Sequence, residues 1–289
     1  NVVGKKHKEC TVCGKVLETA VISQLKCTTP KLKSVANVST GVKIIWNKVS
    51  GADSYTVMRK TGSGKWTVIK NGVTSTTYTD KTAKNGTTYK YTVKAKNEAG
   101  FSDYNTTGLS VRKLAVTVKI TVANVKTGVA VKWGKVTGAT GYYVMRKTDN
   151  GSWVKIATVK GTTYTDKTAK SGVNYKYTIK AYYGNSVSAY NSIGVAIKRL
   201  VAPKISSAVT NREGILIKWN KVTGASGYYV YRKSTSGDWK KIATVKGNTK
   251  IKYLDETPRK GVTYQYYLKA YYNKTVSVNS NTYQIKCKY

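Results

Sequence analysis

The sequence is poor in the residues that most enzymes use for catalysis. Among its 289 residues there is one histidine, His7, and there are only 12 aspartates and glutamates. A Ser/His/Asp or Cys/His triad needs a histidine beside its nucleophile, and His7 lies near the start of the chain. The sequence also lacks a glycine-rich phosphate loop and a nucleotide-binding fingerprint. We therefore expect a non-catalytic protein without an organic cofactor.

Long apolar runs are absent as well. No run approaches the roughly 18 residues that a membrane-spanning helix needs, so we expect no membrane insertion. The first residues, NVVGKKHKEC, contain neither a signal-peptide core nor an initiating methionine. We therefore expect a segment of a longer chain, with any export signal or cell-wall anchor outside it.

Strand-forming residues and positive charge are what the sequence does contain. It has 24 tyrosines, 25 glycines and only three prolines, and valine and threonine are abundant, which favours strands joined by glycine turns. Lysine and arginine number 51, which gives a formal net charge of +39. The composition therefore predicts an all-β protein whose surface attracts polyanions.

A long internal repeat organises the chain. Stretches beginning GVKIIW, GVAVKW and GILIKW place Trp46, Trp133 and Trp219 successively 87 and 86 residues apart. A period of this length corresponds to a whole domain rather than to a solenoid unit. The predicted organisation is a segment containing Cys-x-x-Cys-Gly at 1–30, followed by domains at 31–113, 114–200 and 201–289.

Alternating apolar residues predict about seven strands in each repeat. Val42, Ile44 and Trp46 fall on one face of the second strand, and TYKYTVKA shows the same alternation on the sixth. A period of two with one apolar face is typical of a sandwich of two sheets. The repeated tryptophans of the second strand are predicted to be structural core residues.

In these residues the repeat resembles the fibronectin type III family. The tryptophan of the second strand, the Tyr-x-Val of the third and the stretch NGTTYKYTVKAKNEAG are similar to that family's pattern over residues 31–289. The resemblance implies three tandem immunoglobulin-like, seven-stranded sandwiches arranged as a rod. It also implies a structural tyrosine corner in each sandwich, at Tyr89, Tyr175 and Tyr264.

The sequence departs from the family at one turn, where Ala83 and Asn85 replace the usual leucine and proline. No Arg-Gly-Asp occurs, so the family's integrin-binding loop is not carried over. The composition, which is rich in lysine, tyrosine and glycine, also resembles that of surface proteins of anaerobic Gram-positive gut bacteria of the Firmicutes type. That resemblance implies an extracellular protein, either secreted or associated with the cell wall.

The outward residues of the third and sixth strands form the candidate binding face. In the family these strands are neighbours in one sheet, so their outward side chains share a surface. In the first repeat the outward residues are Thr56, Met58, Lys90, Thr92 and Lys94. The candidate ligand-binding residues are Tyr143, Lys176, Lys180 and Tyr182 of the second repeat, and Tyr229, Tyr231, Tyr267, Lys269 and Tyr271 of the third. Met145 and Thr178 are outward by the same alternation.

Two interpretations of this face stay open. Tyrosines interleaved with lysine resemble a platform on which sugar rings stack while a cation holds an acidic group. Alternatively, the tyrosines only cover a pleated surface, with cross-strand aromatic pairs contributing roughly 0.2–1 kcal/mol each. The second interpretation suffices for the first repeat.

A second tryptophan in each repeat is interpreted as structural. The loop TGSG predicts a hairpin that sets Arg59 opposite Trp66 in a cation–π pair worth about 0.5–1 kcal/mol. The same spacing recurs for Arg146 with Trp153 and for Arg232 with Trp239. Asp80 and Asp166 begin turns in TTYTDKTAKNG and TTYTDKTAKSG, and we expect Asx turns there rather than glycosidase chemistry.

The N-terminal segment contains the residues that could hold a metal ion. His7, Cys10, Cys13 and Cys27 are a candidate tetrahedral zinc set, and the segment resembles the tail of a His/Cys module. A reduced or disulfide-bonded cysteine pair is the alternative. On a rod of roughly 90–100 Å, Cys27 and Cys287 would lie far beyond the roughly 7 Å limit of a disulfide. Cys287 is therefore predicted to be free, or to pair with another chain or with sequence outside this segment.

These features together predict an adhesion and spacer array that presents a cationic, tyrosine-rich surface to anionic polysaccharide or another polyanion. The charge is spread evenly, with 15, 14 and 17 basic residues against 4, 2 and 4 acidic ones in the three repeats. An even distribution predicts only non-specific nucleic-acid binding. Neighbouring copies of the protein are further candidate partners. The alternatives are a purely structural spacer or fibre subunit, and accessory domains of a secreted carbohydrate-active enzyme.

Overall fold

The structure is a computed structural model that describes residues 4–22 and 25–289. The strands β1 (Gly4–Glu9) and β2 (Val16–Ile22) form an antiparallel hairpin ahead of the repeats. The remaining strands form three two-sheet sandwiches, one for each predicted repeat. The prediction of an all-β protein with three tandem immunoglobulin-like sandwiches is thus confirmed. Within the described residues, no helix has the length and hydropathy to cross a membrane.

Sandwich one is formed by a sheet of three strands packed against a larger sheet. Its strands are β3 (Leu32–Val38), β4 (Gly41–Trp46), β5 (Ser54–Thr61), β6 (Thr67–Val73), β7 (Thr77–Asp80), β8 (Thr88–Asn97), β9 (Gly100–Phe101) and β10 (Leu109–Arg112). The small sheet has the order β3-β4-β7, and the large sheet has the order β10-β8-β5-β6 with β9 also paired to β8. The predicted pairing of the third strand with the sixth is therefore present as β5 with β8.

Sandwiches two and three repeat this arrangement. Sandwich two contains β11 (Thr121–Val125), β12 (Gly128–Lys132), β13 (Gly141–Thr148), β14 (Val154–Val159), β15 (Thr163–Asp166), β16 (Asn174–Tyr183), β17 (Ser186–Val187) and β18 (Val195–Lys198). Sandwich three contains β19 (Ile205–Asn211), β20 (Gly214–Trp219), β21 (Gly227–Ser234), β22 (Lys240–Lys246), β23 (Lys252–Asp255), β24 (Thr263–Tyr272), β25 (Thr275–Val276) and β26 (Tyr283–Lys286). Their large sheets have the orders β14-β13-β16-β17 and β22-β21-β24-β25, with β18 and β26 paired to β16 and β24.

The seventh strand of each sandwich is interrupted. In sandwich one, Gly100 of β9 pairs with the end of β8, whereas Arg112 of β10 pairs with its beginning. Residues 102–108 lie between the two pieces as a loop. This loop supplies Tyr104, whose ring meets Trp66 edge to face at 6.2 Å between ring centroids.

A tryptophan and a tyrosine pack edge to face in each core. The alternation on the second strand directs the tryptophan inward, and the third strand supplies the tyrosine. The ring centroids lie 5.4, 5.5 and 5.2 Å apart in the pairs Trp46–Tyr55, Trp133–Tyr142 and Trp219–Tyr228. All three tryptophans are buried. Pairs of this kind add about 0.5–1.5 kcal/mol to the burial of their area.

A second buried tyrosine, on the sixth strand, fixes the preceding turn. The hydroxyl group of Tyr89 accepts a hydrogen bond of 3.0 Å from the backbone N–H of Lys84. Tyr175 accepts the same bond from Lys170 at 3.1 Å, and Tyr264 accepts it from Arg259 at 3.0 Å. This bond to a backbone group a few residues upstream is the tyrosine corner that the resemblance implied.

The described residues fall into two compact units. One unit contains Asn1–Thr117, Lys135–Gly141 and Lys180–Tyr190, and the other contains Val118–Gly134, Tyr142–Ile179 and Asn191–Tyr289. The first unit thus holds sandwich one together with two segments of sandwich two, the second of which contains the end of β16 and the whole of β17. The second holds sandwich three together with the rest of sandwich two.

Within the first unit, one asparagine side chain joins the two sandwiches. The Nδ2 group of Asn37 donates hydrogen bonds to the backbone oxygens of Arg112 at 2.9 Å and Val187 at 3.1 Å. Its Oδ1 accepts a bond of 3.1 Å from the backbone N–H of Leu114, which is buried. Because Val187 belongs to sandwich two, this residue links both sandwiches to the chain that connects them.

The same link recurs within the second unit. Asn124 donates to the backbone oxygens of Lys198 at 3.1 Å and Val276 at 3.2 Å, and it accepts from the N–H of Leu200 at 3.1 Å. The buried guanidinium of Arg199 also donates to the carbonyl of Leu200 at 3.1 Å. We call each such set, centred on Asn37 or Asn124, an asparagine joint.

Candidate functional site

The candidate tyrosines of sandwich three lie side by side on the outward face of its large sheet. Tyr231 and Tyr267 are direct cross-strand partners, and their rings stack with centroids 4.6 Å apart and planes 12° apart. The rings of Tyr229 and Tyr271 stack in the same manner, at 4.5 Å and 13°. We call these four residues the tyrosine ladder. The structure therefore assembles all the predicted tyrosines of sandwich three.

The edges of the ladder are occupied by other side chains. The ring of Trp239 meets Tyr267 edge to face at 4.6 Å. The ammonium group of Lys241 lies 4.8 Å from the ring centroid of Tyr229, and that of Lys269 lies 5.8 Å from Tyr231. Burial and the nearby Tyr231 hydroxyl raise the pKa of Tyr267, so the phenol stays protonated at neutral pH. Because side chains stand roughly perpendicular to a sheet, parallel rings packed against each other present edges rather than faces to a ligand.

The candidate residues of sandwich two also lie beside lysines and a glycine. Lys155 lies 4.8 Å from the ring centroid of Tyr143, and Lys180 lies 4.4 Å from the ring centroid of Tyr190. Tyr182 packs beside Gly141, where a Cβ atom would meet its hydroxyl group at 2.5 Å. Lys176 is half-buried and pairs with Ala196 across the strands. Lys155 thus takes the place beside Tyr143 that Lys241 takes beside Tyr229.

The predicted outward residues of the first two sandwiches are not all exposed. Five residues that were expected to face the solvent are buried: Thr56, Met58, Thr92, Met145 and Thr178. The loops after β9 and β17 place Tyr104 and Tyr190 beside the lysines of this face, and Thr56 donates a hydrogen bond of 2.9 Å to Asn71. Gly108 packs so closely on Trp66 that a Cβ atom would lie 2.7 Å from its ring.

Sandwich three replaces this loop tyrosine with a strand tyrosine. Tyr267 stands where Thr92 and Thr178 stand in the other sandwiches, and Asn279 stands in the place of the loop tyrosine. The second tryptophan therefore meets Tyr104 in sandwich one and Tyr267 in sandwich three. The loop tyrosines were missed by the sequence reasoning, although FSDYN, VSAYN and VSVNS already differ at this position.

The predicted pairing of Arg59 with Trp66 is wrong. The ammonium group of Lys60, one residue further on, lies 4.8 Å from the ring centroid of Trp66. Lys147 and Lys233 take the same position over Trp153 and Trp239, at 5.3 and 5.4 Å. The reason is strand alternation: the lysine points outward to the tryptophan, so the arginine must point inward.

The inward arginine pairs with a buried aspartate. Arg59 donates to Oδ2 of Asp80 at 2.7 Å, and the hydroxyl of Tyr91 donates to the same oxygen at 2.8 Å. Oδ1 accepts bonds from the N–H and hydroxyl groups of Thr82 at 2.9 and 2.7 Å. The predicted Asx turn is present, but Asp80 is also the centre of an ion pair that the sequence reasoning missed.

Burial and hydrogen bonding act in opposite directions on this carboxylate. Burial alone would raise the pKa of Asp80, whereas the bonds from Thr82, Tyr91 and Arg59 lower it, and the net pKa lies below the ordinary value. Asp166 is lowered for the same reasons, with bonds from Tyr177, Thr168 and Arg146. Both carboxylates are completely buried and fully bonded. These carboxylates stabilise the fold, and neither has an oxygen that is free for acid–base chemistry.

The third sandwich carries the same ion pair. Arg232 donates to Oδ2 of Asp255 at 2.7 Å, and Tyr266 donates to that oxygen at 2.8 Å. The guanidinium carbon of Arg232 also lies 4.9 Å from the ring centroid of Tyr264. A buried arginine–aspartate–tyrosine set is therefore a repeated structural element of this chain.

The four candidate zinc ligands do not form a site in the described residues. Cys10 and Cys13 lie in the turn of the N-terminal hairpin, where Gly14 donates a backbone bond of 2.9 Å to Cys10. Backbone N–H groups of Cys13 and Val12 lower the pKa of the Cys10 thiol. Cys27 instead donates to the backbone oxygen of Gly51 at 3.4 Å. No group of three or more possible ligands gathers within residues 4–22 and 25–289, so a zinc ion stays a prediction.

The cysteines form no disulfide with one another, and Cys287 is buried as a free thiol. This agrees with the expectation that Cys27 and Cys287 are not linked. Burial raises the pKa of the Cys27 thiol, which reduces the thiolate fraction available for exchange.

Comparisons with known proteins found a partial similarity to a curated protein and a similarity to a solved structure. No protein-family model matches the chain. The chain is 25% identical over 269 residues to exoglucanase B of Cellulomonas fimi, and the match covers 80% of this chain and 23% of the exoglucanase. The chain therefore spans less than a quarter of that relative's length.

Among solved structures, the FN1–FN3 domains of chicken CNTN1 are 15% identical, with 91% of this chain and 99% of that chain covered and a TM-score of 0.31. A TM-score this low does not show a shared arrangement of the domains. The assignment of three sandwiches rests on the strand order within each repeat.

Proposed function

We propose that the chain is a non-catalytic, extracellular array that holds anionic polymers, such as acidic glycans or cell-wall polymers, while its sandwiches act as spacers. The observation that carries the proposal is a repeated set of lysines held on aromatic rings. These pairs are Lys60–Trp66, Lys94–Tyr104, Lys147–Trp153, Lys155–Tyr143, Lys180–Tyr190, Lys233–Trp239, Lys241–Tyr229 and Lys269–Tyr231, at 4.4–5.8 Å. We call them the lysine–aromatic pairs.

An aromatic ring orders a lysine without cancelling its charge. A cation–π contact at an exposed site is worth about 0.5–1 kcal/mol, which is enough to restrict the side chain. Ordering a free lysine on binding costs roughly 0.5–1.5 kcal/mol. Lysines that are already restricted lose less entropy when an anionic polymer binds. The pairs therefore suit a surface that meets a polyanion at many weak points.

Removal of negative charge from the surface supports the same proposal. Asp80, Asp166 and Asp255 are buried and are each neutralised by an arginine within their own sandwich. The remaining acidic residues are far outnumbered by the 51 basic ones. The excess positive charge therefore lies mainly on solvent-exposed lysines.

The tyrosine ladder has a secondary place in the proposal. Its rings pack face to face within each pair, so a sugar ring has no open aromatic face between them. The hydroxyl groups and ring edges are suited to hydrogen bonds with sugar hydroxyls, next to the cation of Lys269. We therefore assign hydrogen bonding, rather than ring stacking, to Tyr229, Tyr231, Tyr267 and Tyr271.

A second candidate function is an accessory portion of a secreted carbohydrate-active enzyme. The similarity to exoglucanase B of Cellulomonas fimi favours it. In that case the array would space a catalytic domain from its substrate, and an uncharged glucan would be the expected ligand.

Binding of four polymers to the whole chain separates these functions. The panel contains a sulfated glycan, an anionic wall polymer, DNA and an uncharged glucan, each measured over a salt series. We expect binding of the three polyanions that weakens steeply with salt, because neutralised anions release counterions. Binding of the uncharged glucan alone, independent of salt, would contradict the proposal and support the accessory function.

A further inference from the structure

Sandwich three contains a cleft with cationic walls. It has a volume of about 440 Å³, within the roughly 300–1,000 Å³ of small-molecule sites. It lies between the turn that joins β21 to β22 and the turn that leads into β24. Its cationic residues are Arg232, Lys233, Lys240 and Arg259, and its apolar lining includes Ile242, Val262 and Tyr264.

Two of these cations are held in place by partners in the same sandwich. Arg232 uses one nitrogen for Asp255, while its guanidinium lies over Tyr264. Lys233 lies over Trp239 at 5.4 Å. One carboxylate, that of Asp238, also borders the cleft. Four cations against one carboxylate leave an excess of positive charge beside an apolar floor.

The matching positions of the other sandwiches place their charges differently. Lys240 pairs across the strands with Arg232, and the same position opposite the arginine holds Thr67 in sandwich one and Val154 in sandwich two. Arg259 donates its backbone N–H to the tyrosine corner, as Lys84 and Lys170 do. Sandwich three therefore has a lysine opposite the arginine where the others have an uncharged residue, has Asp238 where sandwich one has Lys65, and exchanges a lysine for the forked guanidinium of Arg259.

We propose that this cleft binds a sulfate or carboxylate group carried on a sugar ring. A guanidinium presents paired N–H donors that match the oxygens of a carboxylate or sulfate, and lysine supplies a mobile point charge. The apolar lining formed by Ile242 and Val262 suits the carbon skeleton of the ring. The inference rests on the proposed function in its choice of a glycan as the source of the anion.

The test is a titration of the whole chain with small ligands, followed by chemical shifts of backbone amides. The ligands are glucose 6-sulfate, glucuronic acid, inorganic sulfate and glucose. We expect saturable shifts at residues of the cleft for the two acidic sugars, tighter binding of glucose 6-sulfate than of inorganic sulfate, and no saturation with glucose. Equal affinity for inorganic sulfate and glucose 6-sulfate would overturn the assignment to a sugar.

Variants that reproduce sandwich two supply the matched control. Lys240→Val with Arg259→Lys should weaken binding of glucose 6-sulfate about tenfold, since a charge-assisted contact and a paired donor are lost. Lys252→Val, which removes an exposed lysine from the small sheet of sandwich three, should leave this binding unchanged. If the double variant and the native chain bind glucose 6-sulfate with equal affinity and have equal melting temperatures, the proposal that this cleft binds the sugar is refuted.

The experiments distinguish failure of the cleft proposal from failure of the proposed function. If the double variant binds glucose 6-sulfate as tightly as the native chain does, while both still bind a sulfated polymer, the cleft is refuted and adhesion stands. If the native chain binds the acidic sugars in the cleft but no polymer, the cleft stands and adhesion is refuted.

Discussion

Replacing Asn124 with alanine should destabilise the chain by about 3 kcal/mol. The substitution removes two hydrogen bonds to the backbone oxygens of Lys198 and Val276 and two that Oδ1 accepts, from the N–H of Leu200 and, at 3.4 Å, from the guanidinium of Arg199. A net hydrogen bond contributes about 0.5–1.5 kcal/mol, and a buried donor without a partner costs about 1–3 kcal/mol. Leu200 is fully buried, so water cannot easily replace the lost acceptor.

Unfolding in urea, followed by tryptophan fluorescence and calorimetry, measures this effect. We expect the free energy of unfolding to fall and the heat-capacity peak to broaden, because sandwiches two and three lose part of their coupling. Asn211 supplies a matched control, since its Oδ1 only accepts bonds from Glu213 and Gly214 in a turn. Asn211→Ala should cost roughly 1 kcal/mol. Equal losses for Asn124→Ala and Asn211→Ala would refute the asparagine joint.

Three further predictions concern stability. Trp133→Ala should cost about 3–5 kcal/mol by opening a cavity in sandwich two, and calorimetry showing a loss below 1 kcal/mol would contradict its core role. Stability should be fully present above pH 4 and fall as the pH drops through the lowered pKa values of Asp80 and Asp166; the slope of unfolding free energy against pH checks this, and a slope unchanged in Asp166→Asn would contradict it. Tyr267→Thr, which copies sandwich two, should cost about 1 kcal/mol by removing the stack with Tyr231, and a melting temperature equal to that of the native chain would contradict this packing.

The fold could be predicted because each repeat carries the same local signals three times. Alternation on the second strand directs Trp46 and its counterparts inward, and alternation on the sixth strand does the same for Tyr89. These signals depend only on residues close in sequence. The pairing of β5 with β8 then followed from the family resemblance.

Contacts between distant residues could not be predicted in this way. Arg59 and Asp80 meet across 21 residues; alternation directs Arg59 inward, but it does not identify Asp80 as the partner. Asn37 meets Val187 across 150 residues, so its role depends on the position of a second sandwich. Side-chain contacts of this kind leave no periodic pattern in the sequence.

The candidate face was predicted in its residues but not in its geometry. Strand alternation identifies Tyr229, Tyr231, Tyr267 and Tyr271 as outward, because alternation depends only on sequence position. Whether the rings present faces or edges depends on rotamers, which are set by the neighbouring rings. Likewise, the buried state of Thr92 depends on a loop that the interrupted seventh strand releases.

The salt dependence of binding to a sulfated glycan tests the central claim most directly. Lys60, Lys147 and Lys233 occupy equivalent lysine–aromatic pairs, and their joint replacement by glutamine removes three ordered charges. We predict that the slope of log affinity against log salt becomes shallower by about 2–3, while the triple Lys→Arg variant keeps the native slope. An unchanged slope in the glutamine variant, with the fold retained, would show that these lysines do not contact the polymer and would contradict the account.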